Sequence, residues 1–130
     1  MKKEIIRNPG SEHPYPAAVK AGNLIFVTVA AEEDSAAIKS GPSFEEQFTA
    51  CFERIKQTLE SQGSSMGDIM QLNVYFVDLE RDAEKAGPIW QKYLPEDKWP
   101  VGAWIGIKQL LPSDPTLLVE VGCIAIIPDE

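Results

Sequence analysis

A single histidine, two cysteines far apart at positions 51 and 123, and no cluster of lysine or arginine mark what this 130-residue chain is short of. One histidine and two distant cysteines cannot furnish a zinc site of the usual ligand spacing. His13 has no local nucleophile and no orienting partner, both of which a general base would need, and reads as a solvent-exposed loop residue. Twelve basic residues against twenty acidic ones give a net charge of -8. Such a chain repels phosphate backbones and anionic membranes, so neither nucleic acid nor a membrane is an expected partner. Glycines do not gather into a phosphate loop after a strand, and there is no repeat or low-complexity tract. Met1 to Arg7 carries charges but no apolar run of signal-peptide length, and no segment approaches the length of a membrane span. Cys51 and Cys123 each sit within an apolar pattern, which fits small core residues of a reduced, cytoplasmic protein better than a disulfide.

What is present is ordinary for a soluble globular domain: 44% hydrophobic and 25% charged residues. A chain of this length forms one domain spanning residues 1–130 and buries about two thirds of its unfolded surface. Its clearest element is Ser43 to Gln62. Ser43 and Glu46 make an S-x-x-E capping box, and Phe44, Phe48, Cys51, Phe52, Ile55 and Leu59 recur at helical spacing. Gly63 follows as a left-handed cap. Truncation of Phe48 or Phe52 to alanine is expected to cost about 3–5 kcal/mol, as for other core aromatics.

Around that helix the chain reads as strands. Lys3 to Arg7 is a short strand candidate, and Ser11 to Pro16 is an extended loop because each proline biases its predecessor away from helix. Ala17 to Lys20 and Leu24 to Ala30 flank a tight turn at Ala21-Gly22-Asn23. The second arm, LIFVTVA, is apolar enough to be buried on both faces. Glu32 to Gly41 is a polar loop. In Ile69 to Val77, Leu72, Val74 and Phe76 alternate with Asn73 and Tyr75, a strand with one wetter face. Asp78 to Asp82 reads as a loop and Ala83 to Leu94 as a helix, which either restarts or kinks at Pro88. Val101 to Leu110 and Thr116 to Ile127 complete the set. The expected class is α+β, ordered ββαβαββ beyond the short first candidate, with two helices on one face of a mixed sheet. Its other face would remain apolar and exposed, so packing against further copies of the chain is expected.

Several stretches resemble a known family. They are Pro14-Tyr15, Val19-Lys20-Ala21-Gly22-Asn23-Leu24-Ile25-Phe26-Val27, the break at Gly63-Ser64-Ser65, Gln71 to Asp78, and Val119-Glu120-Val121-Gly122-Cys123-Ile124-Ala125. Together they resemble the reactive-intermediate deaminase (Rid) family, also called YjgF-like or L-PSP. That resemblance implies a chorismate-mutase-like fold and a homotrimer with three clefts between subunits. It also implies hydrolysis of 2-enamines and 2-imines to 2-keto acids and ammonia, with no metal or organic cofactor. The family's ribonuclease label fits poorly with an acidic chain carrying one histidine.

The departures from the family pattern are as informative. Deaminating members carry Pro-x-Arg-Ser where this chain has Pro100-Val101-Gly102-Ala103, so Gly102 stands in place of the arginine that forks onto the substrate carboxylate. A glycine cannot imitate a bidentate guanidinium. The family's terminal Glu-x-Glu is Glu120-Val121-Gly122 here, which removes the glutamate associated with water activation. Its Ser-Gly-Gln is Thr28-Val29-Ala30, and an asparagine of the second helix aligns with Gly87. Tyr15 stays in place.

The candidate ligand-binding residues are Tyr15, Gly102, Trp104 and Glu120. By strand alternation Gly102, Trp104 and Gly106 share one face. They form either an aromatic-walled notch for a flat or apolar ligand, or a place where Trp104 fills the vacated space and seals an interface. Glu120 is either a carboxylate reaching the cleft or one paired at an interface. Tyr15 either donates to a ligand or packs between prolines. Lys108 and Arg81 are either replacement anion binders or solvated charges. Three functions stay open: a Rid-like protein that binds or transforms a small metabolite, a true imine deaminase, and a non-catalytic structural or regulatory partner-binding protein.

Overall fold

The computed structural model describes residues 1–7, 15–30, 42–112 and 114–129. His13 and the expected loop over 32–41 lie outside them. Six strands and two long helices follow one another as β1 (Lys3–Ile6), β2 (Ala18–Ala21), β3 (Leu24–Ala30), α1 (Phe44–Ser61), β4 (Ile69–Phe76), α2 (Leu79–Tyr93), β5 (Trp104–Gly106) and β6 (Val119–Ile126). This is the expected α+β order with the short first strand in front. The strands form one sheet in the order β1-β2-β3-β6-β4-β5. β4 and β5 run parallel across α2, while β6 is antiparallel to both β3 and β4. The two free edges are therefore β1 and β5.

The first helix forms as its sequence dictates. Ser43 Oγ accepts the Glu46 N–H at 3.1 Å. At the other end Gly63 adopts φ +83°, which lets its own N–H reach the Glu60 carbonyl and the Ser64 N–H reach that of Leu59. The apolar stripe is fully buried, and Phe44, Phe48, Phe52 and Tyr93 pack ring to ring at 4.7–5.4 Å. Buried Gln47 turns away from water to clamp the chain before β6, donating to the Thr116 carbonyl and accepting from the Leu118 N–H, each at 2.8 Å. This explains why β6 starts at Val119 and not at Thr116, as the apolar run predicts.

Other departures have similar local causes. The stretch Asp78 to Asp82, expected as a loop, is the first turn of α2. Asp78 caps it by accepting the Arg81 N–H at 3.0 Å. Buried Asp82 holds Arg81 by two hydrogen bonds of 2.9 and 2.7 Å and Lys85 by a third, so Arg81 is spent on structure. The helix continues through Pro88 without restarting. The strand expected over Val101 to Leu110 shrinks to Trp104–Gly106, with an isolated bridge between Val101 and Gln71.

Leu72, Val74, Phe76, Val119, Val121, Cys123, Ile25 and Val27 face the helices and are buried. Among the described residues nothing covers the opposite sheet face. Paired positions place Ile5, Val19, Phe26 and Ile124 in one row across it. Phe26 is 40% exposed and Ile5 49%. Strand β3 is therefore buried on one face within this chain, contrary to the expectation from its composition, since Phe26 and Thr28 look outward.

Candidate functional site

Between the sheet's β5 edge and the second half of α2 lies an open cavity of about 440 Å³. Its floor is set by two glycines with opposite steric reasons. A Cβ added at Gly102 would lie 1.8 Å from the Leu72 carbonyl oxygen, so the chain approaches β4 more closely than any side chain permits. A Cβ added at Gly87, on α2, would meet nothing within 4 Å. Indoles supply the walls. Trp90 of α2 lies 6.3 Å from Trp99 and 5.9 Å from Trp104, ring centre to ring centre and edge to face. Trp104 also leans on buried Phe76 at 5.4 Å. Trp99 Nε1 donates to the Leu94 carbonyl, which ties the segment after α2 to the end of that helix.

Gly102 and Trp104 both line this cavity, although Gly102 lies before β5, outside the strand whose alternation was expected to join them. Trp104 lines it without closing it and is 36% exposed. The other two candidates are elsewhere in the chain. Glu120 pairs with Tyr75 and Ala30 on the open face of the sheet, opposite the face that carries Trp104. Tyr15, 75% exposed, precedes β2 near the far edge of the sheet. Lys108 is exposed. Gly122 faces Thr28 and Asn73, and a Cβ there would meet Thr28 Oγ1 at an ordinary 3.5 Å.

Sequence reasoning missed Trp90 and Gln91 as cavity walls, and it singled out Gly87 and Trp99 without placing them among the candidate site residues. The available signal was that every tryptophan of the chain falls between positions 90 and 104. Helical spacing instead assigned Trp90 to the buried side of α2, and it does pack partly on the core.

Among the described residues the cavity lining carries no charged side chain. A second, more polar groove of about 570 Å³ between α1 and the end of α2 mixes Glu53 and Glu60 with Lys56, Lys92 and Lys98. Among the described residues no group of three His, Cys, Asp or Glu is placed to hold a metal ion. Both thiols are sealed in: burial pushes Cys51 and Cys123 up to about 12. At Cys51 the Arg54 guanidinium opposes the rise and the Glu120 carboxylate adds to it. Neither cysteine offers a thiolate nucleophile near neutral pH. No helix among the described residues is long and apolar enough to cross a membrane.

The sequence profile of the endoribonuclease L-PSP family matches residues 5–127. A RutC family protein of Pyrococcus abyssi is 33% identical, with 96% of this chain and 98% of that protein covered. The RutC family protein YjgH of Escherichia coli is 27% identical over 92% of this chain and 88% of its own. Among solved structures, RidA from an Antarctic Psychrobacter superposes with a TM-score of 0.80 at 26% identity, covering 95% of this chain and 99% of that one. A YjgF family protein of Neisseria meningitidis reaches 0.82 at 22% identity over 100% and 98% of the two chains, which speaks to the fold alone. With its profile matched over nearly the full length and its sheet and helices arranged alike, the chain belongs to the endoribonuclease L-PSP family, the YjgF or Rid family.

Proposed function

We propose that this protein assembles as a homotrimer and uses the clefts between subunits to bind or transform a small metabolite, without the carboxylate grip of an imine deaminase. The observation that carries this reading is Gly102. The Leu72 carbonyl occupies the space where a side chain would begin, so position 102 holds no guanidinium and accepts none without moving β5. The cavity beside it has indole walls and no cation to replace the missing one. A bound carboxylate would give up its hydration there without an ion pair in return.

Assembly accounts for the scatter of the other candidates. Copies packed through the open sheet faces bring the β1–β2 edge of one, with Tyr15, near the β5 edge of the next, with Trp104. The row of Ile5, Val19, Phe26 and Ile124 supplies the apolar contact. Ligand sites of this kind commonly form where subunits meet.

The test is ammonia release from 2-iminobutyrate generated in situ. The expected result is a rate equal to that without protein. Clear acceleration by the unaltered protein would overturn the reading and restore a hydrolytic deaminase. Gly102→Arg is not a useful rescue, because its Cβ collides with backbone. Gly122→Glu fits sterically, and with Gly102 unchanged it is expected to leave the rate at background.

A further inference from the structure

The cavity's chemistry narrows the class of ligand. All three tryptophans of the chain line it; Gln91 gives the only side-chain acceptor among its described lining residues, and the indoles add N–H donors, that of Trp99 being spent on the Leu94 carbonyl. Backbone supplies the rest. Val101 donates its N–H to the Met70 carbonyl and accepts the Leu72 N–H, and Ala103 accepts the Val74 N–H and donates to Asn73 Oδ1. Both neighbours of Gly102 thus spend their peptide groups on β4. Gly102 itself lies between them, before β5 and among the lining residues. Neither its N–H nor its C=O has a hydrogen bond among the described residues.

Such a lining favours neutral donors and acceptors beside flat, electron-rich walls. An anion meets the negative faces of the indoles and no cation. An organic cation gains from those faces, but no carboxylate lines the cavity to balance it, and the Gly102 N–H gains no acceptor from it. A flat neutral ring bearing both a donor and an acceptor stacks on an indole while its polar edge pairs with Gly102 or Gln91. A volume near 440 Å³ is within the usual range for small-molecule pockets, about 300–1,000 Å³.

We propose that the cavity is a binding site for an uncharged planar heterocycle carrying an amide or lactam edge. This rests on the reading of the β5 cleft as a small-molecule site and adds the class of molecule that it takes. Nicotinamide is the probe, nicotinate its acid counterpart of like shape, and phenyltrimethylammonium the cationic control. Because every tryptophan lines the cavity, quenching of intrinsic fluorescence in the full-length protein reports on it directly, with calorimetry as a second measure. Nicotinamide is expected to bind at least about ten-fold more tightly than either charged probe. Gly87→Leu, whose side chain enters open space in the cavity wall, is expected to abolish binding, while Gly87→Ala, which places the same Cβ before Pro88 without filling the cavity, is expected to retain it.

Tighter binding of nicotinate or of the cation, lost in Gly87→Leu, would overturn the ligand class while leaving the cleft as the site. Absence of binding by all three at millimolar concentration, or binding indifferent to Gly87→Leu, would overturn the class and the site together.

Discussion

Gly87 and Gly102 look equivalent in sequence and are opposites in space. At Gly102 a methyl group has no room, because the Leu72 carbonyl is 1.8 Å from where it would begin. Gly102→Ala is therefore expected to lower stability by about 1–3 kcal/mol, the usual scale for overpacking, as measured by urea denaturation. At Gly87 a methyl group meets nothing beyond its chain neighbours. A glycine inside a helix costs about 0.8–1.0 kcal/mol relative to alanine, but the Pro88 ring disfavours helical backbone at a preceding residue that carries a Cβ, so Gly87→Ala is expected to leave stability within about 1 kcal/mol of the unaltered protein. A larger fall would show that the wall there is closed. The sequence singled out Gly102 and Trp104, and both line the cavity, but the strand that was to align them begins only at Trp104. The contributions of Trp90 and Trp99 were not legible at this scale. They depend on how α2 lies over β5, a tertiary fact that no spacing in the sequence encodes.

Elements were legible in proportion to how local their causes are. Helix α1 carries its stripe, its Ser43 cap and its Gly63 stop within its own sequence, and it forms over Phe44–Ser61 as read. The strand expected from Val101 to Leu110 failed because its interruption comes from elsewhere. Asn73 Oδ1 takes the Ala103 N–H, and Leu72 crowds Gly102, both from β4. The start of α2 was hidden by charge: Asp78, Arg81 and Asp82 look like a polar loop until their hydrogen bonds are drawn. Those bonds carry a pH dependence. Arg81 first, then Lys85, hold the buried Asp82 carboxyl below its ordinary value, against the opposing effect of burial. A carboxylate with a lowered folded pKa contributes stability above its unfolded pKa, near 3.9, and loses it as pH falls through and below that value. The urea midpoint is thus expected to drop on acidification from pH 5 towards pH 3, and Asp82→Asn should remove part of that drop. An unchanged acid dependence in Asp82→Asn would mean that Asp82 is not a source of it.

At the scale of the whole molecule, one sheet face is covered by helices and the other is bare. Phe26, Ile5 and Ile105 show a third to a half of their surface there, while the edges at β1 and β5 stand open. Apolar faces of this extent belong to interfaces. The sequence made the bare face readable, because β3 is apolar at positions that one chain cannot bury. It did not reveal that Tyr15 and Trp104 would lie towards opposite edges with Glu120 between them, since strand order is set by pairing between distant segments. In the proposed function assembly completes the cleft: it is what would bring Tyr15 of one copy to Trp104 of the next and cover the apolar row. Native mass measurement at micromolar concentration tests it most directly. The expected species has three times the 14.4 kDa mass of the chain. A stable single chain would contradict the assembled cleft and, with it, the proposed function.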